Sequence, residues 1–371
     1  MNNKYNTVVI GGGLAGLTSS YLLAKAGHDV LLVEKKQYPF HRVCGEYLSN
    51  EVRDFLERES LLPEQREFPT ITSFLFSDTA GKSVTTALDL GGFGVSRYVL
   101  DDYIYHKVLE KGGAVQTGAQ VDTVVFDKSE NLFRIGLADG TQLTAFNVIG
   151  AFGKRSKLDK TLKRAFIEKR SPYIGVKYHI KTDFDRSTVA LYNFKGGYCG
   201  LNTIEDGKVN LCYLGDRGQL REYGSIEAME REVLWKNPAL KPFFTDSDFL
   251  FDKPEVINEI NFERKEPVDN HVLMAGDSAG LITPLCGNGM AMAIHAGKLA
   301  ADAILKGKSR QEIEAQYEHS WRSLFERRLW LGRKVQRLFG SNQASVLTRM
   351  LIKHVPFISD QIIKNTHGKP F

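Results

Sequence analysis

The sequence is poor in cysteine, with only Cys44, Cys199, Cys212 and Cys286 along 371 residues. These four stand far apart and form no CxxC pair, which argues against a zinc site and against a disulfide framework. No apolar run reaches the roughly 20 residues that a membrane-spanning helix needs. The first residues, Met1 to Thr7, are polar and lack the apolar stretch of a secretory signal. Internal repeats and low-complexity tracts are also missing, which excludes solenoids and fibrous arrays. These absences lead us to expect a globular cytoplasmic protein with no resident metal.

Neither sign of charge dominates the whole chain, whose formal net charge is +5. The balance is uneven, however. Between Trp321 and Phe371 there are ten Lys or Arg against Glu326 and Asp360, a local net of +8. A basic, amphipathic tail, with Leu329 and Leu331 among Arg327, Arg328 and Arg333, suits peripheral contact with an anionic membrane surface. It equally suits a solvated helical face or a cap packed on the rest of the protein. Nothing in the charge distribution calls for a nucleic-acid partner.

What is present begins with a strand–turn–helix–strand unit. Thr7–Ile10 is a β-branched run, Leu14–Ala26 has helical spacing, and Asp29–Val33 is a second apolar strand, implying a parallel pair with a right-handed crossover. Gly11, Gly13 and Gly16 form GxGxxG in the turn. The first permits a tight turn, the second lets backbone approach a pyrophosphate, and the third permits close helix–strand packing. The amides of Leu14 and Ala15 open the helix, where partial positive charge favours phosphate. Glu34 ends the second strand 21 residues after Gly13, placed to accept a ribose 2′-hydroxyl. An acid there excludes a 2′-phosphate, leaving NAD or FAD.

A second constellation follows some 260 residues later. His271–Ala275 reads as a strand, followed by Gly276–Asp277–Ser278, then Pro284 and Gly287–Asn288–Gly289–Met290 at the start of a long helix. Asp277 can hold a ribityl or ribose hydroxyl, and the glycine amides can face a flavin's pyrimidine edge. Their N–H groups and the helix dipole would stabilise the negative charge of reduced flavin. An NAD dehydrogenase has no use for this second site, so the nucleotide is read as FAD.

In these residues the chain resembles the FAD-binding superfamily of geranylgeranyl reductases and aromatic hydroxylases of the p-hydroxybenzoate hydroxylase type. The resemblance covers Val9–Lys35, the Pro39-Phe40-His41-Arg42-Val43-Cys44-Gly45-Glu46 stretch (similar to FPR…CGE) and Ala275–His295. Ser96–Asp101 is similar to the family's R…LD…L helix start, and Val148–Gly153 to its VIGADG-type turn. The resemblance implies that Lys35, Arg42, Arg97 and, through its backbone, Val121 also contact FAD. It implies NAD(P)H as a transient electron donor bound without a domain of its own, and a hydrophobic isoprenoid, polyene or aromatic substrate, either reduced or hydroxylated.

Two departures stand out. The reductases' Y-x-W-x-F-P run is replaced by Tyr198-Cys199-Gly200-Leu201-Asn202, and the halogenases' W-x-W-x-I-P is missing. Cys44 is a candidate proton donor or redox partner, with an inert buried thiol as the alternative, and a relation to Cys286 is conceivable. Tyr198 is a candidate to orient or protonate substrate, or else an ordinary sheet tyrosine. A flavoprotein that passes electrons to a protein or quinone is a second functional class.

The expected fold is α/β. A three-layer Rossmann-like FAD-binding domain is assembled from 1–70, 97–165 and 263–310. A mostly antiparallel substrate domain comes from 71–96 and 166–262, and a helical C-terminal tail from 311–371.

Overall fold

The computed structural model describes residues 3–168, 171–258, 260–283, 287–336, 341–355 and 367–371. In chain order its strands are β1 (Lys4–Ile10), β2 (Val30–Glu34), β3 (Tyr47–Ser49), β4 (Thr70–Ser77), β5 (Ser83–Gly94), β6 (Ala114–Thr117), β7 (Val121–Asp127), β8 (Leu132–Leu137) and β9 (Gln142–Gly150). They continue as β10 (Tyr173–Lys181), β11 (Thr188–Phe194), β12 (Gly197–Thr203), β13 (Val209–Asp216), β14 (Asp248–Phe249), β15 (Glu255–Asn258), β16 (Val268–Asp269) and β17 (Val272–Met274).

The first sheet runs β16-β17-β9-β1-β2-β6, with β7 and β8 added through β9. β17, β9, β1, β2 and β6 are parallel neighbours. Their apolar runs have no polar alternation because both faces are covered, as in other parallel sheets. Val8, Val9, Leu32 and Ile149 are completely buried there. Helices Leu14–Lys25, Arg97–Glu110 and Gly289–Lys306 pack with this sheet into one hydrophobic core. Gly297 is required at the crossing of the first and third: a Cβ on it would collide with the Ala15 carbonyl.

The second sheet runs β14-β10-β13-β12-β11-β4-β5-β3, antiparallel except between β11 and β4. Its two faces separate cleanly along the period of two. Val176, Tyr178, Ala190, Tyr192, Cys199, Leu201, Leu211 and Tyr213 form a core with helix Ile226–Glu232 and Phe244. The opposite face carries Phe76, Leu191, Tyr198 and Leu214, packed with Ile260 and Leu281. β3 lies at the edge of this sheet beside β5, so the segment just after Cys44 crosses from the first sheet to the second.

β9 runs unbroken from Gln142 to Gly150, with Thr144 and Ala145 paired to both β1 and β8. The short helices Arg217–Tyr223 and Ile226–Glu232 were not anticipated, since seven residues give too little apolar period to read. The Arg310–Gln336 helix packs as a cap, one of the arrangements expected of the tail: its Tyr317, Trp321, Phe325 and Leu329 join the main core.

Candidate cofactor and substrate site

The glycine-rich turn connects β1 to the Leu14–Lys25 helix at the carboxyl end of the parallel strands. Gly11 has φ +102°, and a side chain there would strike the Ala151 backbone. Gly16 lies so close to the Gly11 carbonyl that a Cβ would overlap it. Gly13 is different, because its missing side chain would point into space, with the Arg97 guanidinium 3.5 Å away. It is the N-cap of a helix that has neither a side-chain cap nor an acid in its first turn. The leading amides, including those of Leu14 and Ala15, have no intrahelical acceptor and face that space with the dipole's positive end.

Around this turn, side chains converge that the sequence supplied from three places. Glu34 accepts from the Gly12 N–H at 2.7 Å and from the Lys36 N–H at 3.0 Å. Arg42 donates to the Gly12 carbonyl at 2.9 Å and pairs with Glu34 at 3.2 Å and Asp101 at 3.0 Å. Arg97 makes a two-pronged pair with Asp101 at 2.6 and 2.7 Å. Burial disfavours the Arg97 charge, but Asp101 more than offsets it and raises the guanidinium's pKa. Lys35, exposed, follows Glu34. Val121 opens β7, buried; just before it the Ala119 N–H donates to the Glu34 carbonyl, so this strand starts beside the acid.

The second constellation meets the first directly. Gly276, φ +61°, sits where a Cβ would lie 3.2 Å from the Ala15 methyl. Asp277 is half-buried, and its carbonyl accepts from the Lys265 ammonium at 2.7 Å. Lys265 is buried, which pulls its pKa down to about 8 against the opposing pull of Asp159. Arg164 braces the same turn, donating to the Ser278 carbonyl and to Asp159, each at 2.9 Å. Asn288 caps the Gly289–Lys306 helix in position only; its side-chain amide goes to Glu51 at 3.2 Å. This helix also lacks a side-chain cap and a first-turn acid. Gly287 has φ +62° with Tyr47 closest to its missing side chain, and Met290 is buried in the core. Pro284 and Cys286 lie outside the described residues, and with them the conceived Cys44–Cys286 relation.

Two helices thus begin without a side-chain cap among the described residues, the first of them beside Arg97. Free amide donors, nearby guanidinium groups and glycines that leave the approach open fit a diphosphate-linked dinucleotide such as FAD.

The segment from Arg42 to Glu46 spans the gap to the second sheet. Glu46, at φ +53°, is fully buried; its carboxylate accepts from Lys177 at 2.5 Å, His179 at 2.7 Å and the Arg97 N–H at 2.8 Å. Burial would raise its pKa, but Lys177 and His179 outweigh that and hold it near 2. Asn202 donates to the Glu46 carbonyl, and Asn210 to those of Cys44 and Gly45. Cys44 itself is half-buried at the edge of the main core. Tyr198 is 3% exposed among Phe76, Leu191 and Leu214. The sequence reading did not single out Tyr38, which donates to the Gly12 carbonyl at 2.6 Å, nor Asp101, Lys177, His179 or Lys265. Asp101 was within reach, standing four residues after Arg97 on the same helix face. The others act through contacts distant in sequence.

Residues 9–56 match the NAD(P)-binding Rossmann-like domain model. Across 91% of the chain and 87% of the relative, it is 25% identical to a digeranylgeranylglycerophospholipid reductase of Methanopyrus kandleri. It is 23% identical to a menaquinone reductase of Mycolicibacterium smegmatis, over 91% of the chain and 84% of that protein. Conditioned medium factor receptor 1 of Dictyostelium discoideum is 23% identical over 86% of the chain and 68% of the relative. The chain is thus similar along most of its length to proteins named as reductases. Solved structures carry the same fold. A geranylgeranyl bacteriochlorophyll reductase-like protein of Thermoplasma acidophilum superposes with TM-score 0.76 at 19% identity, covering 98% of this chain and 97% of that one. PqsL of Pseudomonas aeruginosa does so with TM-score 0.74 at 18% identity, covering 92% and 98%.

A second ionisable centre lies away from the site. Glu230, 6% exposed, accepts from the Tyr178 and Tyr213 hydroxyls at 3.0 and 2.8 Å. Burial pushes its pKa up from 4.5 to about 7, the two hydroxyls opposing. The folded state therefore holds a proton that the unfolded chain releases above about 4.5. Stability from this group is complete below that pH and falls as pH rises towards 7. The difference amounts to about 3 kcal/mol at most. Glu230→Gln is expected to flatten stability between pH 5 and 7, measured by urea unfolding; parallel wild-type and variant curves would refute the shift.

Proposed function

We propose that the protein uses FAD to reduce a hydrophobic, unsaturated substrate of the isoprenoid or quinone class, held between the second sheet and the Arg42–Glu46 segment. The meeting of the glycine-rich turn with the Gly276–Asp277 turn at Ala15 carries this reading. Bound there, FAD would supply hydride-transfer chemistry through its ring system, with NAD(P)H as transient donor. Gly11, Gly13, Leu14, Ala15 and Gly16 would receive the diphosphate, with Arg42 and Arg97 countering its charge. Glu34 would accept a ribose hydroxyl, and the Lys35 and Val121 backbones would border the adenosine. Gly276 and Asp277 would take the ribityl chain, and Gly287 to Met290 the pyrimidine edge. Cys44, half-buried next to these elements, is the side chain we assign to meet the substrate and deliver a proton. Tyr198 walls the apolar side.

The full-length relatives named as reductases support reduction, while the missing Y-x-W-x-F-P run keeps oxygenation as the second reading. Rapid mixing of the reduced, FAD-loaded protein with oxygen separates them. Slow reoxidation without a transient absorbing species is expected; a transient adduct spectrum would establish oxygenation instead.

The Asn342–His354 helix adds a finer proposal. It is held on one side by Arg349–Asp78 at 2.7 Å, and turns Leu347 and Met350 outward, 57% and 47% exposed, beside exposed Lys353. We assign it to peripheral contact with anionic lipid. Flotation with vesicles containing phosphatidylglycerol should carry the protein up at low salt and release it at high salt. Equal flotation with purely zwitterionic vesicles would contradict this.

A further inference from the structure

Residues 367–371 lie against the start of the Gly289–Lys306 helix, distant in sequence from every partner they meet there. The Gly368 N–H donates to the Glu51 carboxylate. The same carboxylate oxygen accepts from the Asn288 side-chain amide at 3.2 Å and faces the Arg328 guanidinium at 3.6 Å. Two turns further along the helix, Phe371 stacks on His295 with ring centroids 3.7 Å apart, and meets Phe55 at 5.4 Å. The His367 ring stands edge-on to Tyr47, whose own ring lies closest to the open side of Gly287. One short segment thus reaches Gly287, Asn288 and His295, directly or through a single side chain.

Gly368 is the residue this contact requires. A Cβ on it would collide with both the Glu51 carboxylate and the Arg328 guanidinium, so no side chain fits while that ion pair is closed. Glu51 is completely buried, and its other carboxylate oxygen has no hydrogen-bond partner among the described residues. Burial raises its pKa, with Arg328, the Gly368 amide and Asn288 opposing. A buried carboxylate so short of donors is strongly disfavoured when one more leaves. It can recover only by drawing on Arg328 and Asn288, and Asn288 is the residue on which the helix begins.

We propose that residues 367–371 are a positioning segment for the flavin: through Glu51 they fix Asn288 and the helix start assigned to its pyrimidine edge, so that bound FAD and the segment hold each other in place. The inference rests on the FAD reading and adds to it a control of cofactor retention outside the glycine-rich turn. No residue of the segment is asked to touch the flavin. Coupling of this kind is reciprocal: the factor by which the docked segment tightens FAD is the factor by which FAD favours the docked segment.

The test measures both directions. FAD affinity is read by fluorescence titration of flavin-stripped variants, and hydrogen exchange at the Gly368 amide is followed in the wild type with and without FAD. Deletion of residues 367–371 and Gly368→Val should each weaken FAD binding at least about fivefold. Lys369→Ala, which alters an exposed side chain, should leave it unchanged. In the wild type, FAD should slow exchange at Gly368 at least about fivefold, a response that a plain structural cap would not give. Undiminished FAD affinity in a folded deletion variant, or Gly368 exchange indifferent to FAD, would overturn the proposal. The exchange measurement needs no variant, so a deletion that fails to fold does not shield the proposal. Both contrary results leave the FAD reading standing, because each is obtained with FAD bound. A wild type that takes up no FAD would instead remove the reading on which the proposal rests.

Discussion

Gly16→Val is expected to abolish FAD binding, weakening it at least about a hundredfold. Gly16 stands on the first turn of the Leu14–Lys25 helix, and any Cβ there overlaps the Gly11 carbonyl and comes within 3.3 Å of the Ala151 methyl. Both neighbours are fixed, Gly11 by its N–H to Val33 and Ala151 by its N–H to Ile10. Since backbone cannot yield as a side-chain tip can, the helix must shift away from β1. That shift moves the amides of Leu14 and Ala15 off the phosphate position. Overpacking of this kind costs about 1–3 kcal/mol or more, and about 2.8 kcal/mol is a hundredfold in affinity. Gly215→Ala is the control, because its nearest neighbours lie 3.9 Å from the added methyl. Fluorescence titration of FAD into each apo-variant measures the effect. Near-normal affinity in Gly16→Val would show that the turn does not hold the cofactor.

Lys177→Met should destabilise the protein by about 3–5 kcal/mol, because it leaves the Glu46 carboxylate buried without its main counter-charge. Lys177 and Glu46 are both fully enclosed, and their 2.5 Å pair links the second sheet to the Cys44 segment. Adding Glu46→Gln to the same chain should restore much of the loss, since an amide needs no cation. In the wild type, the pKa of Glu46 near 2 instead of 4.5 stabilises the fold above pH 4.5, and that stability drains away as pH falls towards 2. The double variant should lack this acid dependence. Urea unfolding across pH 3–7 provides both readings. A single variant as stable as the wild type would mean that the ion pair contributes nothing net.

The sequence disclosed those parts of the site whose chemistry is local. Gly11, Gly13 and Gly16 are read from spacing alone because they fall where one strand passes directly into the helix that follows it. The same holds for Gly276 and for Gly287 to Met290, where strand, turn and helix are consecutive. Glu46 was legible only as a letter in a motif. Its partners Lys177 and His179 come from a strand more than 130 residues later, and no periodicity announces that pairing. Lys265 and Arg164 likewise take their meaning from carbonyls at Asp277 and Ser278.

The most direct test of the central claim is titration of FAD into the purified, flavin-stripped protein, followed by anaerobic addition of NADH or NADPH. Stoichiometric uptake, with the flavin band shifted from that of free FAD and bleached by the nicotinamide, is expected. A protein that folds normally yet leaves FAD free in solution would contradict the assignment of both glycine-led helix ends to one cofactor.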